Sequence, residues 1–554
     1  MPEPPPSETP DRDGAFPRLS AEQIELLGTD GERRPARAGE VLYRQGDHYE
    51  DFFVVLDGMV ETVDGDEHSR LVIATHGPGR FLGELSLLTG QAAFATAIVR
   101  APGELLVVPV GRLRALVAED RGLGDLILRA YLMRRELLIG FGAGLRIVGS
   151  RHSPDTSRLR DFAARNRLPH RWIDLGADDE AEALLSGLGL TPEDTPVVIW
   201  RGREVLRNPS NGELARAVGL RAPRLDQAGY DLVVVGAGPA GLAAAVYGAS
   251  EGLSTVTIDA EATGGQAGRS SRIENYLGFP SGVSGGELAE RAVIQAEKFG
   301  ARMVVPAAAV GSEWGDGHHV IHLDDGSSIA ARTVIIATGA RYRRLTVPGL
   351  DRLEPACVFY AATASEARIC LAQPVAVVGG GNSAGQAAVF LAGYAAEVYL
   401  IAREADLGEY MSRYLIDRIE RSRRVRILLH TEVRELIGED SLEAVVVEDV
   451  NTGKRRRLPL AELFVFCGAE PHTGWLADEL AVDDGGYVLT GAAAASANGS
   501  PRLPLETSRA GVFAAGDVRS GAIRRVASAV GEGGMAVRLV HERLRGDLPV
   551  AARH

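Results

Sequence analysis

Cysteine is almost absent from this 554-residue sequence: only Cys357, Cys370 and Cys467 occur, and no two stand at a paired spacing. That excludes a disulfide framework and a cysteine-built zinc site, and it makes a reducing cytoplasm the expected compartment. A basic surplus is missing too, since 74 acidic residues outnumber 60 basic ones and leave a formal charge of −14. Nucleic acids and anionic membranes attract proteins through Lys and Arg, so neither is expected as a partner of the whole chain. No uncharged apolar run approaches the roughly 18–20 residues that a helix needs to cross a bilayer. His152, His170 and His472 have no second ligand at metal spacing, so no metal site is expected. The stretch Met1–Gly14 is rich in proline and acid and lacks the basic-then-apolar order of a signal peptide. Residues 1–15 are therefore expected to form a loose tail.

What is present is an ordinary globular composition, 45% hydrophobic and 24% charged, in a chain too long for one core. Several modules follow. Residues 16–140 show short strands separated by Gly and Asp turns at Glu40–Tyr43, Phe52–Leu56, Met59–Val63, Arg70–Ala74 and Glu104–Pro109. Helical spacing then runs over Val110–Glu119 and Leu123–Leu138. Residues 145–220 alternate strand and helix: Arg146–Gly149, Leu159–Arg165, His170–Leu175, Glu180–Leu185, Val197–Trp200, Glu204–Leu206 and a last helix. That order predicts a small α/β sandwich. Arg221–Gln227 reads as a linker, and doubly wound alternation follows it.

Strand Asp231–Val235 runs straight into Gly236-Ala237-Gly238-Pro239-Ala240-Gly241 and an Ala-rich helix. This is a dinucleotide fingerprint in its required context. Gly236 makes the tight turn, Gly238 lets backbone approach a pyrophosphate, and Gly241 allows the helix to pack closely. Asp259 ends the next strand, where an acid can hold ribose hydroxyls. A second fingerprint follows strand Val375–Val378 as Gly379-Gly380-Gly381-Asn382-Ser383-Ala384. Two such sites in one chain suggest a prosthetic flavin and a diffusible nicotinamide.

Gly264-Gly265-Gln266, Ile273-Glu274-Asn275-Tyr276-Leu277-Gly278-Phe279-Pro280, Ala337-Thr338-Gly339 and Gly511-Val512-Phe513-Ala514-Ala515-Gly516-Asp517 resemble the low-molecular-weight bacterial thioredoxin reductase family, in unbroken order from about Gly229 to Leu544. The resemblance implies FAD on Gly236, Gly238, Gly241, Gln266, Asn275 and Asp517. It extends that set to Pro239, Ala240, Asp259, Gly265, Thr338, Gly339, Gly516, Arg525 and Val526. It implies NAD(P)H on Gly379, Gly381, Asn382, Ser383, Ala384 and Arg403. It further implies a homodimer, an FAD domain of residues 229–347 and 464–546, and an inserted NAD(P)H domain of residues 348–463.

The sequence departs from this family where a Cys-x-x-Cys pair is expected beside the flavin, because it reads Ala361-Ala362-Thr363-Ala364. Alanine has no nucleophile or redox couple, so thiol–disulfide exchange at Ala361 and Ala364 is impossible. Cys357 and Cys370 flank that place thirteen residues apart, and isolated buried cysteines are usually packing. Glu366 lies near the expected flavin face as a possible proton-transferring acid, or as a solvated helix residue. Arg524 and Arg525 are read as anion-binding or as partners of Glu532. Of the His-Arg-Arg run that holds the 2′-phosphate of NADPH in the family, Ala402-Arg403-Glu404 retains Arg403 alone, which favours NADPH and leaves NADH open.

Residues 16–140 resemble the cyclic nucleotide-binding domain family through Gly46-Asp47, Phe52–Gly58 and Phe81–Leu88, with Gly83 and Glu84 matching its phosphate- and ribose-holding pair. The arginine expected about ten positions on is replaced by Ala93 and Phe94, so a docking surface competes with cyclic AMP binding as the role of this roll. Residues 145–220 look like a glutaredoxin or thioredoxin fold, with Thr195-Pro196 at the cis-proline position and Ser153-Pro154-Asp155-Thr156 where the redox cysteines belong. The fold expected is thus multidomain: a β-roll, a thioredoxin-like α/β sandwich and two doubly wound Rossmann-type domains. The leading function is hydride transfer from nicotinamide C4 to flavin N5 and onward to a quinone, an iron–sulfur protein, oxygen or a small molecule. A thioredoxin-disulfide reductase using partner cysteines and a flavin- or nucleotide-sensing regulator are the alternatives.

Overall fold

The computed structural model describes residues 7–48, 51–64, 71–83, 92–141, 144–178, 180–200, 204–220, 229–315, 317–439, 441–476, 479–494 and 502–546. The chain divides into two compact units, Met1–Arg151 with Arg158–Pro223, and Arg224–His554 with His152–Ser157. The expected linker Arg221–Gln227 lies outside the described residues. Among the described residues, no helix is long and apolar enough to cross a membrane.

The first unit opens with an antiparallel sheet of β1 (Glu32–Ala36), β2 (Val41–Tyr43), β3 (Asp51–Asp64), β4 (Leu71–His76), β5 (Phe81–Leu82) and β6 (Thr96–Pro109). Its order is β1-β6-β3-β4, with β2 on β6 and β5 on β3. The two strands expected at Phe52–Leu56 and Met59–Val63 are one strand, β3, whose register against β6 shifts around Asp57 and Met59. Gly58 carries the bulge at φ +84°, a conformation that side chains disfavour, so a glycine that reads as a turn continues the strand. Helices Val110–Glu119 and Arg121–Phe141 follow.

The expected loose tail is pinned from Glu8 onward. Thr9 N–H donates to Thr75 O at 3.2 Å, and Thr75 N–H returns to Thr9 Oγ1 at 2.8 Å. Glu8 pairs with Arg80, and Ala15 and Phe16 are buried. Arg134 donates to the Ala15 carbonyl at 2.6 Å and lies over the Phe16 ring. These long-range partners order a segment whose composition alone reads as disordered.

The next sheet holds β7 (Leu145–Val148), β8 (His170–Ile173), β9 (Val197–Trp200) and β10 (Glu204–Arg207) in the order β10-β9-β7-β8. β7 and β8 are parallel, while β9 runs antiparallel to both β7 and β10. The peptide bond before Pro196 is cis. The first helix here starts at Pro154 rather than Leu159, because Ser153 Oγ accepts from Thr156 N at 3.3 Å and proline suits a first helical position.

The second unit contains β11 (Tyr230–Val235), β12 (Thr255–Ile258), β13 (Arg302–Val304), β14 (Ala309–Trp314), β15 (His319–Leu323), β16 (Ser328–Ile336), β17 (Ala340–Tyr342), β18 (Val358–Phe359), β19 (Pro374–Val378), β20 (Glu397–Ile401) and β21 (Val425–Leu428). β22 (Thr431–Ile437), β23 (Ala444–Asp449), β24 (Arg455–Pro459), β25 (Glu462–Val465), β26 (Ala469–Pro471) and β27 (Val512–Ala514) complete it. One sheet runs β13-β12-β11-β16-β15-β14 with β27 beside β16, and a parallel sheet runs β18-β25-β19-β20-β21. β22, β23 and β24 form a separate antiparallel sheet, and β17 pairs with β26 where the chain leaves the first sheet and returns towards it. β11 and β19 are apolar on successive residues because both faces are covered. Val233 and Val235 enter one core cluster while Leu232 and Val234 enter another.

Candidate functional site

Each fingerprint lies where a parallel strand feeds a helix. After β11, Gly236 adopts φ +108°, and a Cβ there would lie 2.3 Å from the Ala337 carbonyl oxygen. Gly241 lies against the turn itself, its missing Cβ 1.8 Å from the Gly236 oxygen. Gly238 caps the helix Pro239–Ser250 and has open space before it, with only Gly265 Cα at 3.9 Å. Ala240 is buried, and its Cβ would lie 3.0 Å from a Cβ on Gly516, which has φ +76°. The fingerprint, the Gly264-Gly265-Gln266 loop and the Gly516-Asp517 turn therefore converge at one helix N-terminus, where partial positive charge favours an anion.

Asp517 is half-buried, and among the described residues its carboxylate accepts no hydrogen bond. Burial raises its pKa, nearby Arg524 lowers it, and Glu532 raises it. Such a carboxylate is costly unless a ligand donates to it, so the site fits a group carrying hydroxyls. Asp259 is differently employed. Its oxygens accept from Ala237 N at 2.8 Å, Glu261 N at 3.0 Å and Ala262 N at 3.1 Å, so it braces the fingerprint loop before it can serve a ribose. Thr338 Oγ1 donates to His472 O at 2.8 Å, and the Gly339 carbonyl receives His472 N at 3.0 Å, which fixes that turn.

Asn275 is exposed. Two expectations are corrected. Glu366 accepts from Thr363 N at 2.8 Å and from the Thr363 hydroxyl, so it caps the short helix Ala364–Ile369 and is held by donors rather than poised as an acid. Arg524 donates to Tyr487 OH at 2.6 Å and Arg525 is exposed before Val526, the first residue of the helix Val526–Gly546. The partner of Glu532 is Arg519, at 2.5 Å, and Glu532 also receives Gly516 N at 2.7 Å.

At the second fingerprint, Gly379 has φ +138° and a Cβ there would meet Phe466 O at 2.6 Å. Gly381 caps the helix Asn382–Leu391 with nothing within 4 Å of its missing Cβ. Asn382 Oδ1 accepts from Ser412 N at 2.7 Å, and Ala384 is buried. Ser383 receives a 2.6 Å hydrogen bond from Tyr342 OH, and the Tyr342 ring stands edge-on to Phe466. Burial pushes the Tyr342 phenol pKa up, keeping it a donor, while the Ser383 hydrogen bond lowers it. Tyr342 carries no motif that would have flagged it.

A small, open cleft joins the two sites, lined by Gln266 and Arg269 from one, Ser383 and Phe466 from the other, and Tyr342, Ala361 and Ala362 between them. Glu274 and Arg418 bridge the same two parts at 2.5 Å. None of the three cysteines lines the cleft. Cys357 packs with Ala376 and Val378, whereas Cys370 packs with Val375 and Val377. Alternate residues of β19 face opposite sides of the sheet, so these two thiols cannot pair. Burial pushes Cys357 up to about 11 and Cys370 up to about 12.

In the first unit Gly83 is buried at φ +106°, while Glu84 lies outside the described residues. Ala93 is buried with Tyr43, Phe53 and Leu82 of the antiparallel sheet. Phe94 turns outward to Trp200, with ring centroids 5.7 Å apart, in a core shared with Leu145, Leu159 and Phe162.

A family model described as pyridine nucleotide-disulphide oxidoreductase matches residues 230–533, more than half of the chain. The chain belongs to this family. Membership makes FAD and NAD(P)H its general working pair. A cyclic nucleotide-binding domain model matches residues 33–120. The chain is similar to the "34.2 kDa protein in rubredoxin operon" of Clostridium pasteurianum, 33% identical over 57% of this chain and 97% of that protein. It is also 33% identical to the thioredoxin reductase of Treponema pallidum, over 55% of this chain and 94% of the relative. Among solved structures, the thioredoxin reductase of Lactococcus lactis in its FR conformation is 27% identical, with a TM-score of 0.53 over 57% of this chain and 99% of that one. This oxidoreductase is therefore thioredoxin reductase-like in its second unit, with a cyclic nucleotide-binding domain in its first.

Proposed function

We propose that the chain is an NAD(P)H-dependent FAD oxidoreductase that passes electrons to an acceptor without a dithiol of its own. One observation carries the reading: Gln266, from the loop beside the first fingerprint, and Ser383, from the second fingerprint, line a single cleft in which Ala361 and Ala362 stand and no cysteine does. FAD would be held by Gly236, Gly238, Pro239, Ala240, Gly241, Gly265, Gln266, Gly516, Asp517 and the start of the helix at Val526, with Thr338 and Gly339 closing the turn and Asp259 stiffening the loop. NAD(P)H would lie on Gly379, Gly381, Asn382, Ser383 and Ala384. When bound, this pair supplies hydride transfer from nicotinamide to flavin and electron delivery beyond it. The protein's own contribution is positional. Both helix N-termini place positive dipole ends at anions, Asp517 accepts from a hydroxyl, and the half-buried Tyr342 phenol holds Ser383 at the mouth of the cleft.

The acceptor belongs to the classes that need no thiol: a quinone, an iron–sulfur protein, oxygen or a small molecule. The Clostridium relative's name, with its rubredoxin operon, makes an iron–sulfur protein the first to try. The strand order β10-β9-β7-β8, with β7 and β8 parallel and β9 antiparallel to its neighbours, supports a thioredoxin-like middle module that serves as a docking surface, since hydroxyls replace its sulfurs. A homodimer in the cytoplasm completes the reading. Anaerobic titration of the purified protein with NADH and NADPH, followed by air, tests it. Bleaching of the flavin with either cofactor and recovery with an acceptor is expected; protein without FAD, or flavin that neither cofactor bleaches, would refute it.

A further inference from the structure

We propose that Glu404 makes the second dinucleotide site selective for NADH, receiving the adenosine ribose hydroxyls and repelling a 2′-phosphate. The inference rests on the reductase reading and deepens its second site. In a doubly wound sheet the adenosine ribose lies beyond the strand that follows the fingerprint helix, and the charge found there decides between a hydroxyl and a phosphate. Here that strand is β20, ending at Ile401, and Glu404 stands three residues beyond it.

Its side chain folds back over the glycine loop. A Cβ on Gly380 would lie 2.6 Å from Glu404 Oε2 and 2.9 Å from Cδ, so the bare glycine is what seats the carboxylate there. The side chain is only 15% exposed, and Oε2 is buried without a hydrogen-bond partner. An ionised carboxylate only accepts, so the group that satisfies it must donate; ribose hydroxyls donate, and a phosphate dianion does not. Arg403, the residue that favoured NADPH on sequence grounds, is 76% exposed and turns its Nε to Glu404 Oε1 at 3.4 Å. Its charge is already opposed. Asp406 and Glu409 add two more negative charges to the same loop, with Asp406 spent on Gly408 N at 2.9 Å. A 2′-phosphate would enter a net acidic pocket.

Calorimetric binding of NAD⁺ and NADP⁺ to the full-length, FAD-loaded protein reads this without turnover. NAD⁺ should bind at least about tenfold more tightly, the equivalent of one charge-assisted hydrogen bond. Glu404→Gln should narrow the ratio at least about fivefold, weakening NAD⁺ and strengthening NADP⁺, with flavin content and melting temperature unchanged. Arg403→Ala should leave the ratio within about twofold. NADP⁺ binding more tightly than NAD⁺, or a ratio indifferent to Glu404→Gln, would overturn the assignment of Glu404 alone. Failure of both nucleotides to bind would overturn the reductase reading and Glu404's role together.

Discussion

Gly238 and Gly241 lie one helical turn apart, and alanine at each should fail in a different way. At Gly241 the added methyl would meet the Gly236 carbonyl oxygen at 1.8 Å and its carbon at 2.9 Å, with Val234 Cγ1 at 3.3 Å. Those are backbone atoms of a fixed turn, so the helix must lift away from β11. Overpacking of this kind costs about 1–3 kcal/mol or more, and it spoils the fold whether or not flavin is bound. At Gly238 the backbone is extended, φ −72° and ψ −177°, which alanine adopts freely, and the nearest atom is Gly265 Cα at 3.9 Å. That methyl fits the protein but fills the space a pyrophosphate needs. Gly238→Ala should therefore keep the melting temperature of flavin-free protein and forfeit the rise that added FAD confers, about 2.7 kcal/mol at a hundredfold excess over Kd. Flavin absorbance relative to protein absorbance, and melts with and without added FAD, separate the two variants. Gly238→Ala protein with parental flavin content and a parental FAD-dependent shift would refute the assignment of this backbone as the pyrophosphate seat.

Two other outcomes follow from the interior. With Ala93 among buried apolar neighbours and Phe94 buried against Trp200, calorimetry with cyclic AMP and cyclic GMP should register no binding, and Phe94→Ala should cost the first unit about 3 kcal/mol in denaturant unfolding; micromolar cyclic nucleotide affinity would contradict this. Burial raises the Cys357 thiol from 9.0 to about 11, so its stabilising contribution is full below pH 9 and lost as pH rises through 11. The melting temperature should fall across that window, less so in Cys357→Ala, and iodoacetamide at pH 8 should leave Cys357 and Cys370 of the folded protein unmodified; prompt alkylation would show that they are accessible thiolates.

The parts legible in the sequence are those whose cause is local. Gly236 and Gly379 announce their turns because strand, positive-φ glycine and Ala-rich helix are contiguous, and Val110–Glu119 and Val197–Trp200 follow from periodicity and β-branched residues. What escaped depends on partners far along the chain. Glu532 finds Arg519 instead of the nearer-looking Arg524, which is drawn to Tyr487. Tyr342 and Ser383 are separated by two helices and two strands before their hydroxyls meet. Glu8 lacks any local reason for order and gains it from Arg80. The posture of Glu404 over Gly380 has no signature beyond a charge reversal in the loop; its geometry comes from how β20 ends beside the glycine turn.

The pairing of Val334 on β16 with Val512 on β27 sets the order in which this protein can mature. The end of β16, Val334–Ile336, lies beyond the reach of β15 and is synthesised with one edge open, and the strand that covers it arrives about 180 residues later, after the whole intervening parallel sheet. At ribosomal speeds of about 5–20 residues per second the edge stays unpaired for roughly 10–35 s. Asp517 follows β27 by only a few residues, so on the proposed role of Asp517 flavin capture waits for the same event. The intervening sheet, whose strands close among themselves, is free to fold during that interval and brings the ends of its own insertion together through β17 and β26. Low flavin supply would then act on a nascent chain that is complete in every module but the one that the inserted sheet interrupts.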